Sequence, residues 1–280
     1  MKTVTQLRAH IANTANATGV KADVLYRNYM FERLLKRLSL SKYRDHFVLK
    51  GGLLIAYLVG FESRGTMDLD GTICGFPVNE KNLEEMLKDI TEISVDDSIT
   101  FEMKSIKQII VERDYECLRV SMTAHFEEMK IPLKLDISTG DAITPRPIEF
   151  RHRLMFSGEQ IEILAYNLET VLAEKIESII SRNITGTRMR DYYDVHILTK
   201  LRKDEIDINL LKKALHATSE RRNTLKVIEN ASQIMIDIKT SEELQKLWQS
   251  YTEIYEYAKD ISWEEIFISL EKIMSELKGD

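Results

Sequence analysis

The chain has 280 residues, 44% of them hydrophobic, which suits one large domain or two smaller ones with an ordinary buried core. Its net charge of −6 excludes a protein basic throughout, but residues 242–280 hold ten acidic and four basic residues, so the rest carries 35 of each. The sum neither demands nor forbids a nucleic-acid surface elsewhere. Two cysteines, Cys74 and Cys117, and six scattered histidines give no zinc-type spacing.

Helical spacing of apolar residues predicts helices over 3–16 and 22–40, the second with a stripe from Val24 to Leu38. FVLKGG (47–52) is a short apolar piece ending in two glycines, and LLIAYLVG continues it as a helix of about two turns. The apolar stretch at 51–61 is too short to span a membrane, and the first 30 residues hold no signal-peptide core. A soluble cytoplasmic protein without a membrane partner is expected. TMDLDGTIC (66–74) is a predicted strand, 78–93 a helix, and 99–109, 115–126 and 131–139 strands. From about residue 165 the pattern turns helical, with helices expected over 167–182, 188–201, 207–217, 220–236, 241–259 and 263–278. Strands early and helices late predict an α+β domain over 1–160, with flanking helices on a mixed sheet, followed by an α-helical domain over 161–280.

Asp68 and Asp70 are the first candidates for chemistry. On a strand, residues i and i+2 share a face, so both carboxylates can reach one hard cation. Asp136 adds a third acid, placed within IPLKLDIST on the face opposite its aliphatic residues. If that strand lies beside Asp68 and Asp70, three carboxylates converge, as two-metal phosphoryl transfer requires. Lys50-Gly51-Gly52 precedes a helix, where backbone N–H groups and the helix N-terminus attract a triphosphate. Arg64 and Thr66 flank the acids and can donate to phosphate oxygens.

The DxDGT pattern also belongs to haloacid-dehalogenase-type phosphatases, where the first aspartate is a nucleophile at the end of a buried apolar strand. Here Glu62 to Met67 is no such strand, and Gly140-Asp141 lacks a following acid. In the helical half, Lys175 sits in an apolar-patterned helix and can neutralise phosphate charge. Asp191 and Asp194, at i and i+3, share a helix face. Arg182, Arg188 and Arg190 surround a glycine-containing loop suited to a triphosphate, an RNA backbone or plain solvent.

Together, FVLKGGLLIAYLVGFESRGTMDLDGTI (47–73), PLKLDISTGDAITP (132–145), YNLETVLAEKIESIISRNITGTRMRDYYDVHIL (166–198) and, more loosely, ALHATSERR (214–222) resemble the AbiEii/AbiGii nucleotidyltransferase toxin family. The resemblance runs from about residue 25 to 270 and is carried by KGG, RxTxDxD and AEKI…RMRDYYD in that order. It implies a nucleotidyltransferase fold in which the Gly-Gly turn and DxD hold the triphosphate and magnesium, or manganese. A helical lysine and a downstream aspartate complete the site, which carries over to Gly51, Gly52, Asp68, Asp70, Lys175 and Asp191 or Asp194, the helical domain contributing its residues to the cleft. Many members have serine where this chain has Gly52, which removes one hydroxyl donor.

The expected function is therefore magnesium-dependent transfer of a nucleoside monophosphate from a nucleoside triphosphate to RNA. Asp68, Asp70 and Asp136 are expected at the metal, or Asp136 at the acceptor hydroxyl. Lys50, Gly51, Gly52, Arg64, Thr66 and Arg190 are expected at the nucleotide, with Lys175 at its phosphates. The resemblance implies a tRNA 3′ end as acceptor, a cognate antitoxin partner and a role in abortive infection and phage defence. Modification of a protein side chain, or a non-catalytic binding module on the same fold, are the rival readings.

Overall fold

The alternation in residues 131–139 becomes a central strand of a seven-stranded mixed sheet. In the computed structural model, which describes residues 2–110 and 116–279, the strands are β1 (Phe47–Lys50), β2 (Leu69–Ile73), β3 (Ile99–Ile110), β4 (Glu116–Phe126), β5 (Met129–Thr139), β6 (Ile148–Arg153) and β7 (Gln160–Ala165). Their order is β3-β4-β5-β2-β1-β7-β6. The β2–β5 and β1–β7 pairs are parallel and the others antiparallel. The sheet belongs to a first compact unit, Met1–Gly140 with Pro147–Ala165.

Four helices accompany it: α1 (Val4–Thr18), α2 (Ala22–Ser39), α3 (Gly51–Val59) and α4 (Glu80–Thr91). The Asn79 side chain accepts from the Asn82 N–H and starts α4. Leu34, Leu35 and Leu38 of α2 and Leu83, Met86, Leu87 and Ile90 of α4 close over Phe47, Leu69, Leu135 and Ile137 of the sheet. All of these side chains are buried, and their removal from water is the main force holding helices to sheet. Gly71 is explained by this packing. A Cβ there would lie 2.4 Å from the Phe47 ring, so the glycine of TMDLDGTIC makes room for an aromatic.

The second unit, Asp141–Arg146 with Tyr166–Asp280, is helical: α5 (Leu168–Arg182), α6 (Met189–Leu201), α7 (Ile208–Arg221), α8 (Leu225–Glu229), α9 (Ala231–Thr240), α10 (Glu242–Ile254) and α11 (Trp263–Lys278). Asn167 accepts from the Thr170 N–H to cap α5, and its amide donates to the Thr144 carbonyl, fixing the 141–146 segment. Arg222 joins Glu174 and Glu177 at 3.1 and 2.6 Å. Ser262 and Glu265 form a reciprocal capping box on α11.

The α+β architecture followed by helices is as the sequence predicts, with local departures. β2 spans only Leu69–Ile73, so Asp68 precedes it. β1, β6 and β7 are not among the expected strands: β1 is four residues long, and β6 alternates through Arg151 and Arg153 at the sheet edge. The expected helix over 220–236 is interrupted where Asn223 adopts a φ of 56°, a left-handed conformation that asparagine tolerates. The helix expected to reach residue 259 stops at Ile254. The predicted start of the strand at Tyr115 lies outside the described residues. No helix among the described residues is long and apolar enough to cross a membrane.

Candidate active site

One register row crosses five strands. Lys50 of β1 faces Asp70 of β2, Asp70 faces Asp136 of β5, Asp136 faces Arg119 of β4, and Arg119 faces Lys107 of β3. Because side chains directly opposite each other share a face, the parallel β2–β5 pairing puts Asp70 and Asp136 side by side. Their neighbours Leu69, Leu135 and Ile137 point to the buried core, so the alternation drives the acids to the other face.

The Gly51–Gly52 turn is built against Asp70. Gly51 has a φ of 67°, and a Cβ there would lie 2.1 Å from Asp70 Oδ2. The Gly52 N–H donates to that oxygen at 3.2 Å, so Asp70 satisfies an end group of α3, whose N-cap Lys50 makes no side-chain cap. A Cβ on Gly52 would meet Thr66 Oγ1 at 2.8 Å and Arg64 Nη2 at 3.2 Å. Arg64 is fully buried behind the turn and donates to the Gly65 carbonyl; Thr66 is also buried and donates to the Asp68 carbonyl at 3.4 Å. These two residues thus brace the backbone that carries Asp68 and the turn.

Arg119 is the neighbour that motif reading misses. Its Nε and Nη2 donate to the two oxygens of Asp136 at 2.8 and 2.7 Å, a bidentate pair. That hydrogen bonding, with the charges of Asp136 and Asp68, holds the guanidinium above its already high pKa. Arginine at an alternating strand position belongs to no motif; only the register beside Asp136 could have marked it. Of the three carboxylates expected at the metal, Asp70 and Asp136 lie side by side, and Asp136 is held by Arg119. Among the described residues no group of three or more His, Cys, Asp or Glu side chains could hold a metal ion, and Arg119 takes both oxygens of Asp136. Burial, then the charge of Asp136, pushes the thiol of Cys117, two residues from Arg119, up to about 11.

In the helical unit, Lys175 of α5 reaches Asp191 Oδ1 at 2.7 Å and Asp194 Oδ2 at 2.9 Å, both on α6. Ser178 Oγ donates to Asp191 Oδ2 at 2.7 Å. Both carboxylates are buried. Burial raises the Asp191 pKa, but the Lys175 charge and hydrogen bonds from Lys175 and Ser178 outweigh it and leave the carboxyl below its ordinary value. Asp191 also lies in the first turn of α6, where the helix dipole favours an anion. Arg190 Nη2 donates to Tyr255 Oη at 3.1 Å, with its guanidinium 5.7 Å from that ring. Burial, then Arg188, pushes Arg182 down to about 10, so it stays cationic at neutral pH.

A family model described as "Nucleotidyl transferase AbiEii toxin, Type IV TA system" matches residues 33–268. Among solved structures, JHP933 from Helicobacter pylori is similar over 92% of this chain and 95% of its own, at 18% identity and a TM-score of 0.51. An H. pylori protein assigned as a nucleotidyltransferase covers 91% of this chain and 96% of its own, at 20% identity and a TM-score of 0.49. No curated protein matches the chain. At 18% identity the likeness to JHP933 speaks for the fold, and the family match for the enzyme class.

Proposed function

Because this chain belongs to the AbiEii family of nucleotidyltransferase toxins, we propose that it moves a nucleoside monophosphate from a nucleoside triphosphate to an RNA 3′ end, that of a tRNA, and releases pyrophosphate. The observation that supports this best is the pairing of Asp70 with Asp136 on parallel strands, with the Gly51–Gly52 turn built against Asp70. A helix N-terminus beside carboxylates suits a triphosphate that arrives with its own cation.

Asp68 and Asp70 would hold magnesium or manganese. The donors are hard carboxylate oxygens, and magnesium needs only one or two from the protein when substrate phosphates and water supply the rest. Bound there, the ion would supply Lewis-acid charge to the triphosphate oxygens. Lys50 and the backbone N–H groups of Gly51 and Gly52 would cradle the phosphates, with Arg64 and Thr66 keeping the turn in place. The acceptor hydroxyl oxygen would form a bond to the α-phosphorus as the bond from that phosphorus to the α–β bridging oxygen breaks. Asp136, oriented by Arg119, would take the hydroxyl proton. Each of its oxygens has a second lone pair beyond the one Arg119 uses.

Within the helical unit, Asp191 and Asp194 would fix the Lys175 ammonium, and Lys175 and Arg190 are that unit's candidates for phosphate charge. The family is one of type IV toxin–antitoxin systems, so a cognate antitoxin would restrain the activity, and its release would arrest growth and defend against phage.

Incubation with each α-labelled nucleoside triphosphate, magnesium and total RNA tests the reading. A labelled tRNA-sized band, lost in Asp70→Ala, is expected. Label on protein alone would move the acceptor to a side chain, and no label on either would remove the transferase reading.

A further inference from the structure

The face of β3–β5 that carries Asp136 and Arg119 continues outward past the residues assigned to the chemistry. On β4 and β5, Val120, Met122, Ala124, Leu133, Leu135 and Ile137 are buried on one side. The opposite side carries Arg119, Ser121 and Thr123 of β4 and Lys130, Lys134 and Asp136 of β5, and Lys107 and Ser105 of β3 extend it. Lys107, Lys130 and Lys134 are exposed, and the serines and threonine are half-buried. Two rows lead outward from the acids: Asp70–Asp136–Arg119–Lys107, and Lys134–Ser121–Ser105 beside it. With strands ~4.8 Å apart, the first row extends about 14 Å from Asp70.

The charges along it are ordered. Asp70 and Asp136 sit at the inner end, Arg119 neutralises Asp136, and Lys107 and Lys134 are the outlying cations. Glu102, the acid farther along β3, is engaged by Lys104 and His125. Except for His125, the side chains named on this face have no ring on which a base could stack. A face on which hydroxyls and cations predominate suits phosphodiesters rather than bases.

We infer that this face of β3–β5 is the track for the single-stranded end of a polynucleotide acceptor, held by its phosphates through Lys107, Lys134 and the hydroxyls of Ser121 and Ser105. The inference rests on the transferase reading above and adds where the acceptor lies and what it is read by. Binding is then indifferent to base sequence and steeply dependent on salt, because each neutralised phosphate releases counterions.

The test uses the full chain and a fluorescein-labelled single-stranded RNA 12-mer, with anisotropy read over a series of KCl concentrations and no nucleotide present. Lys107→Gln with Lys134→Gln is expected to weaken binding at least several-fold and to lower the slope of log K against log salt by about 1.4, at ~0.7 per contact on a single strand. Lys81→Gln with Lys88→Gln on α4, two exposed lysines on the helix that packs over the apolar side, is the control and leaves both unchanged. Unchanged binding in the first pair, as a protein-docking role for this face would give, overturns the inference, as does an equal loss in the control. Absence of RNA binding by the unaltered chain also overturns it. Binding of a fluorescent nucleoside triphosphate, measured on the same samples, separates these outcomes from failure of the transferase reading. That signal is lost in Asp70→Ala and kept in the lysine pair if only the track is at fault.

Discussion

The two units each bring acids and a cation together, by different means and with different consequences. In the sheet, register does the work: backbone pairing puts Asp70 next to Asp136, and Arg119 and Lys107 extend the row toward solvent. Asp70 and Asp136 stay partly accessible, as groups that meet a substrate must. In the helical unit, side-chain bonds do the work. Lys175 holds Asp191 and Asp194 across two helices, Ser178 completes the set, and both carboxylates are buried. Register sets position without engaging every side-chain atom, whereas a buried ion pair stands only if its charges are matched. The sheet cluster is therefore set in place by register, and the helical cluster by its matched buried charges.

Substitutions sharpen this contrast. Asp194→Ala should cost the most stability, about 3–5 kcal/mol, because it leaves Lys175 with less countercharge in a buried setting; urea unfolding measures it. Asp70→Ala should do the reverse. Nucleotide transfer should fall by about 10²–10³-fold or more, while stability changes by only about 1 kcal/mol, the worth of its bond to the end of α3. Equal stability losses in the two variants would erase the distinction between the clusters.

Gly71→Ala should destabilise by about 1–3 kcal/mol through overpacking against Phe47, and its thermal midpoint should fall while nucleotide binding survives. Gly51→Ala should cost about 1–2 kcal/mol for the left-handed backbone. Unlike Gly71→Ala, it should also abolish nucleotide binding by pushing Asp70 aside. The smallest effect is on pH dependence. The Asp191 carboxyl is held below its unfolded value, so the unfolded chain takes up that proton first as pH falls. Its contribution is fully present above the ordinary carboxylate range and is lost as pH drops through the native value. The stability gap between the unaltered chain and Asp191→Asn should therefore narrow as pH falls below about 4, where an ordinary aspartate titrates.

Much of this was legible in the residues. Alternation in IPLKLDIST put Asp136 opposite the aliphatic side, and the DxD spacing put Asp70 on the matching strand. The parallel pairing that joins them was inferred only as a condition, because sequence carries no direct sign of which strands are neighbours. Arg119 was invisible for the same reason: its meaning lies in a cross-strand partner seventeen positions away. Gly71 looked like part of a catalytic signature, yet it answers to the ring of Phe47, a long-range packing fact. Asp191 and Asp194 were read as a pair on one helix face, and both prove to share Lys175. β6 escaped because an edge strand with arginines on one side imitates a polar loop.

The crowding at Gly52 ties distant positions of the chain together. A serine Cβ placed there would lie 2.8 Å from the Thr66 hydroxyl and 3.2 Å from Arg64. Positions 52, 64 and 66 are therefore coupled: a side chain at 52 requires the Thr66 hydroxyl and the Arg64 guanidinium to shift.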